Sequence, residues 1–164
     1  MASESSFDIV SQFDMQELRN AIDQVKREIA TRYDFKGIKA ELTLTDDDIT
    51  ILVPDTMKLK ALQDMIFQKV VNRKLSTKIL ELKDPEPAAG DSLRQVIKLL
   101  KALDQETCKT ISKMIKDNFP KVKPSIQGTA VRVSSKSKDD LQAVMAYLRK
   151  VESLKMPLDF NNYR

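Results

Sequence analysis

The residues Arg32-Tyr33-Asp34-Phe35-Lys36-Gly37 put two aromatic rings, three charges and a glycine side by side. In an extended segment Tyr33 and Phe35 share one side, and Arg32, Asp34 and Lys36 share the other. Rings of this kind stack nucleobases, and cationic side chains hold phosphate through charge-assisted hydrogen bonds. A structural role competes with that chemistry. Tyr33 and Phe35 can seal a helix-to-strand corner, with Arg32 and Lys36 favouring the helix C-terminus and Gly37 taking the turn. Arg32 and Lys36 remain candidates under both, because long cationic side chains do both jobs.

Other candidates lie in the second half. Arg132 alternates with Val131 and Val133, so it faces away from a core and suits a phosphate. Gln127 precedes Gly128 in what reads as a hairpin turn; its amide has the donors and acceptor to read a base edge. Lys136 and Lys138 flank the start of a helix, an anion-binding arrangement, although Asp139 and Asp140 already complement the dipole there. Near the end, Phe160 reads as core, while Tyr163 beside Asn162 and Arg164 is an exposed stacking residue with a cation next to it. Asp46-Asp47-Asp48 reads as a tight turn rather than a metal site. Cys108 lies on an apolar helix stripe and reads as core.

What is missing is equally informative. The 164 residues contain no histidine, which removes Ser-His, Cys-His and His-metal chemistry within one chain. Three glycines, Gly37, Gly90 and Gly128, cannot compose a dinucleotide-binding fingerprint or a phosphate-cradling loop. The expectation is therefore a protein that is not an enzyme, with no cofactor and no metal. A net charge of +4 is compatible with an anionic ligand without demanding nucleic acid. No run of 18 apolar residues occurs, so no membrane is expected as a partner. The start Met1-Ala2-Ser3-Glu4-Ser5-Ser6 lacks the pattern of a signal peptide, and one cysteine forms no internal disulfide. The expected location is cytoplasmic.

The elements that must position these residues repeat. Shifted by 82 residues, half the chain, Ile49, Ile51 and Val53 fall on Val131, Val133 and Ser135. In the same shift Leu59, Leu62 and Ile66 fall on Leu141, Val144 and Leu148, and Ile29 falls on Ile111. The first half predicts a strand at 7–11 and a helix from the N-cap Asp14, with Glu17 as capping-box partner, to about Arg32. Strands at 40–44 and 49–53, a helix capped by Asp55 or Thr56, and a strand at 79–82 follow. The second half predicts a helix from Asp104, strands at 121–126 and 130–134, a helix capped by Ser137 and a strand at 158–160. Leu93, Val96, Ile97 and Leu100 have helical spacing, but the repeat requires a strand over 93–100. The fold class is α+β: two tandem ferredoxin-like (βαββαβ) domains, 1–84 and 92–164, with the Pro/Gly stretch 85–91 as linker.

Five segments together resemble the YajQ family of bacterial proteins. They are Ser6-Phe7-Asp8-Ile9-Val10-Ser11, Arg32-Tyr33-Asp34-Phe35-Lys36-Gly37, Ile126 to Val133, Lys138-Asp139-Asp140-Leu141-Gln142 and Pro157 to Arg164. The resemblance implies domains of RNA-recognition-like topology that exchange their N-terminal strands, 7–11 and 93–100. It implies nucleotide binding, with cyclic di-GMP as a ligand for some members, a transcription factor as protein partner, and transfer RNA or other RNA as further ligands. The chain departs from the family pattern at Ser134-Ser135, where a Gly usually follows Thr or Ser. It departs also at Thr129 for an acidic residue, Lys138 for an arginine and Ala102 for a glycine. The first three lie near the candidate ligand residues and bear on which ligand fits.

Three functions follow as expectations. The first is a non-enzymatic nucleotide-binding protein, holding phosphate on cations and stacking the base. The second is an RNA-binding module, against which stands the absence of aromatics from the expected central strands 49–53 and 130–134. The third is an adaptor that docks a protein on its open sheet faces.

Overall fold

The computed structural model describes residues 4–151, 154 and 156–164. Met1–Ser3, part of the start read above for a signal peptide, lie outside the described residues, as do Glu152, Ser153 and Lys155. The chain divides into two compact units, Met1–Gln12 with Lys101–Arg164, and Phe13–Leu100.

The first unit opens with β1 (Ser5–Val10). The second unit supplies α1 (Met15–Thr31), β2 (Glu41–Leu44), β3 (Asp48–Val53), α2 (Thr56–Asn72), β4 (Leu80–Leu82), β5 (Glu86–Ala88) and β6 (Ser92–Leu99). The chain then returns to the first unit with α3 (Gln105–Asn118), β7 (Lys123–Gln127), β8 (Ala130–Ser135), α4 (Lys138–Lys150) and β9 (Asp159–Asn161).

The first unit's sheet has the order β7-β8-β1-β9, so β1 pairs with strands near the other end of the chain. Its register sets Phe7 against Val133 and Ile9 against Val131, and all four side chains are buried. The second unit's sheet has the order β2-β3-β6-β4, with β5 also on β6. Each sheet has the strand order of a ferredoxin-like domain: in the first unit β1 fills the first strand's place from the other end of the chain, and in the second unit, which is contiguous, β6 fills it from the end of the stretch. β3 and β8 show the same alternating burial, Ile49, Ile51 and Val53 inward in one, Val131, Val133 and Ser135 in the other.

Two local readings change. Residues 85–91 do not link domains: Glu86–Ala88 form β5, and Gly90 and Asp91 turn the chain into β6 at positive φ. The chain passes from one unit to the other at 12–13 and 100–101 instead of within that stretch. Pro87 is tolerated because β5 pairs with β6 alone, leaving an edge where its absent N–H costs no ladder bond. The second change is at the α1 start. Asp14 accepts the Gln16 N–H at 2.9 Å, but Glu17 does not complete a capping box. Its carboxylate instead takes Asn20 at 3.2 Å and the Arg73 guanidinium at 3.5 Å, a cation that outcompetes a backbone amide.

The remaining caps are simple. Asp55, Asp104 and Ser137 accept N–H groups of Lys58, Thr107 and Asp140 at 2.8, 2.7 and 3.2 Å. The Asp46-Asp47-Asp48 turn is fastened by Thr45, whose hydroxyl takes the N–H groups of Asp47 and Asp48. Strand β6 buries Gln95, Ile97 and Leu99 on alternate positions, so the period of two prevails over the helical spacing around Val96. No helix among the described residues is long and apolar enough to cross a membrane.

Cys108 is fully buried on α3, and burial, with Asp104 adding to it, pushes its thiol above the ordinary value. A thiol reagent should therefore label the folded chain about a hundredfold or more slowly than the chain in urea. Labelling at similar rates would place Cys108 outside the core.

Candidate functional site

The first unit carries a cavity of about 260 Å³ where β1, α4 and the C-terminal residues meet. Its apolar floor is Phe7, Leu141 and Met145, and Lys138, Tyr163 and Arg164 stand on its wall with Gln142 and the Ser5-Ser6 segment. The local sequence explains each placement. Phe7 points inward from β1 because strand side chains alternate, and it is fully buried. Leu141 and Met145 are four apart on α4, so one helix face presents both to the cavity.

The chain end is tied in place. Asn162 adopts φ 55, a conformation that asparagine tolerates, and the chain turns back after β9. Arg164 and Ser6 then exchange two backbone hydrogen bonds, at 2.9 and 3.1 Å. One face of the Tyr163 ring lies against Phe7, with centroids 6.1 Å apart and planes 29° apart. Its hydroxyl reaches the Met145 sulfur at 3.7 Å, and 58 % of the residue stays exposed. The buried hydroxyl of Ser135 accepts the Ser137 N–H at 3.1 Å and steadies the entry to α4.

Of the residues singled out above, the cavity brings together Lys138, Tyr163 and Arg164. Lys136 is exposed one residue before the N-cap of α4 and does not line it. Gln127 lies at the other end of β8, since Gln127 pairs with Ala130 while Ser135 pairs with Ser5. There it donates to the Ser125 hydroxyl at 3.0 Å, and Gly128 turns the hairpin at φ 61.

Arg132 is on the sheet face that carries no helix, as alternation predicts, but it has an internal partner. Its Nε donates to Asp8 Oδ1 at 2.9 Å and its Nη2 to Oδ2 at 3.4 Å, and Asn162 donates to the same carboxylate at 2.9 Å. Asp8 is 5 % exposed. The hydrogen bond from Arg132 holds its carboxyl below the usual range against the opposing effect of burial, with Asn162 and the charges of Arg132 and Arg164 helping. Reading Arg132 alone missed this pair. The signal was the charge of Asp8 between the apolar Phe7 and Ile9.

Arg32 and Lys36 belong to the second unit. The segment 33–35 is a single 3₁₀ turn, not a strand, and in that geometry Tyr33 and Phe35 diverge. Tyr33 is 88 % exposed and Phe35 is buried, so Tyr33 seals no corner. Arg32 pairs with Asp34 at 2.8 Å and, with Lys58, covers the Phe35 ring at 5.8 and 5.2 Å. Lys36 is exposed beside Gly37, which turns at φ 74. Among the described residues no group of three His, Cys, Asp or Glu side chains is placed to hold a metal.

Residues 5–164 match the family described as "Nucleotide-binding protein YajQ-like". A "Nucleotide-binding protein" of Trichodesmium erythraeum is 54 % identical over 164 residues, covering all of both chains. Proteins of the same description from Chloroflexus aggregans and Prochlorococcus marinus are each 49 % identical over 165 aligned positions, again covering all of both chains. These relatives carry the name of a binding protein rather than of an enzyme. Likeness of this extent, on a chain folded into two ferredoxin-like units, establishes that the chain belongs to the family of YajQ-like nucleotide-binding proteins.

Proposed function

We propose that the chain binds a nucleotide, without turning it over, in the cavity between β1, α4 and Tyr163-Arg164. The observation that carries this reading is the meeting there of a half-exposed ring, an apolar floor and two cations. A base stacks beside Tyr163 over Leu141 and Met145, and the phosphate takes charge-assisted hydrogen bonds from Lys138 and Arg164. A volume of about 260 Å³, just under the usual range of ligand pockets, takes a base and leaves ribose and phosphate at the rim beside the cations. Cyclic di-GMP, the first ligand to test, would seat one base and leave the other outside. For RNA, the helix-free sheet face offers Ser6, Asp8, Arg132 and Ser134 and no ring on which bases stack.

Calorimetric titration with cyclic di-GMP, GTP and ATP tests the reading. At least one should bind saturably. Lys138→Glu should weaken it about tenfold or more, and Tyr163→Ala by a similar factor. The double change Arg32→Ala, Lys36→Ala, in the other unit, should leave the affinity as it is. No heat with any of the three at high protein concentration sinks the proposal.

A further inference from the structure

The cavity of the first unit has an order along α4. Lys138, Leu141, Gln142 and Met145 line it, and at three- and four-residue spacing they share one helix face. Lys138 is the first residue of the helix, and Met145 lies almost two turns further on, about 10 Å along the axis. Ser5 pairs with Ser135 just before α4, and the adjacent Ser6 exchanges backbone bonds with Arg164. Arg164 and Lys138 therefore stand together where the helix begins. Tyr163 meets Met145 at the other end. This order puts the phosphate beside the helix start and the base at the level of Leu141, Gln142 and Met145.

At that level one lining side chain is an amide, Gln142. It is exposed, and its side chain makes no hydrogen bond among the described residues. The Tyr163 hydroxyl is already turned to the Met145 sulfur. Among the described residues no acidic side chain lines the cavity.

A primary amide sets an acceptor beside a donor. Adenine presents the complement on both polar edges, its N6 amino group standing beside N7 on one and beside N1 on the other. Guanine's N7 edge turns two acceptors, O6 and N7, toward the amide oxygen. Its other edge takes the amide at O6 and N1–H, but leaves the N2 amino group facing a lining without a carboxylate to receive it. Cations also favour the O6/N7 edge of guanine, but here they stand at the phosphate end, a turn away from Gln142. Resting on the nucleotide site proposed above, we infer that Gln142 selects the base, and that the cavity prefers adenine to guanine nucleotides.

Calorimetric titration of the full chain compares ATP with GTP, and cyclic di-AMP with cyclic di-GMP. Within each pair the phosphates are the same, so only the base differs. The adenine member should bind about tenfold tighter. Gln142→Leu, at an exposed helix position, should keep the fold and weaken the adenine member to the level of the guanine one. Gln142→Glu should reverse the order, because a carboxylate accepts from N1–H and the N2 amino group of guanine and repels adenine N1 and N7. Lys138→Glu should weaken both members alike and leave their ratio unchanged. Equal affinities in the unaltered chain, tighter guanine binding, or a ratio that survives Gln142→Leu overturns the inference and leaves the site standing. Heat from none of the four nucleotides overturns the site and the inference together.

Discussion

Phe7→Ala should destabilise the first unit by about 3–5 kcal/mol, a large part of the stability of a small domain. Phe7 is fully buried, on a strand with neighbours on both sides, and its ring meets Phe160 edge-on at 5.6 Å and Tyr163 at 6.1 Å. Truncation removes the transfer energy of the ring and leaves a cavity that the flanking strands β8 and β9, held by their ladders, cannot close. Binding should fall with stability, because the Phe7 ring backs Tyr163 and the Ser6–Arg164 bonds hang on the same strand. Urea unfolding followed by tyrosine emission is the measurement. The chain has no tryptophan, and of its three tyrosines Tyr33 is 88 % exposed, so the signal comes chiefly from Tyr147 and Tyr163 of the first unit. A cost below about 1 kcal/mol, within the range of an ordinary surface change, would mean that β1 does not complete this sheet.

That prediction rests on a feature no local pattern in the chain expresses. Alternation at Phe7 and Ile9 shows a strand and its inward face; the pairing of Phe7 with Val133 is a matter of remote contacts. The repeat was readable because β3 and β8 meet the same demand, a strand covered by helices on one side, and so carry the same apolar alternation. The Pro/Gly stretch at 85–91 misled because turn residues mark a hairpin as readily as a linker. Tyr33 misled for a related reason. A side assignment made for extended backbone fails once Phe35 and Lys36 donate back to Arg32 and Tyr33 in a 3₁₀ turn. Lys138 was readable by charge and Tyr163 by its polar neighbours. Their convergence was not, since it depends on Asn162 turning the chain end back along β1.

Asp8→Asn should cost the first unit about 1–3 kcal/mol at neutral pH, and that cost should vanish in acid. The carboxylate accepts from Arg132 at 2.9 and 3.4 Å and from Asn162 at 2.9 Å; an amide of the same shape keeps at most part of this set and loses the charge. The Arg132 side chain is 41 % exposed, so water recovers part of its loss and the lower half of that range is the expectation. The sign follows from the direction of the shift. The Arg132 hydrogen bond, foremost, holds Asp8 below the usual carboxylate value in the folded chain. In the unfolded chain the group titrates near the ordinary value of about 3.9. The folded state thus binds the proton less readily, and the stabilisation is present above that ordinary value. It disappears as pH falls through the lower, folded value. Urea midpoints for the unaltered chain and for Asp8→Asn should therefore stay apart from neutral pH down to about pH 5 and converge toward pH 2. Parallel curves over the whole range would show that Asp8 contributes shape rather than charge, and would release Arg132 as a free cation on the sheet face.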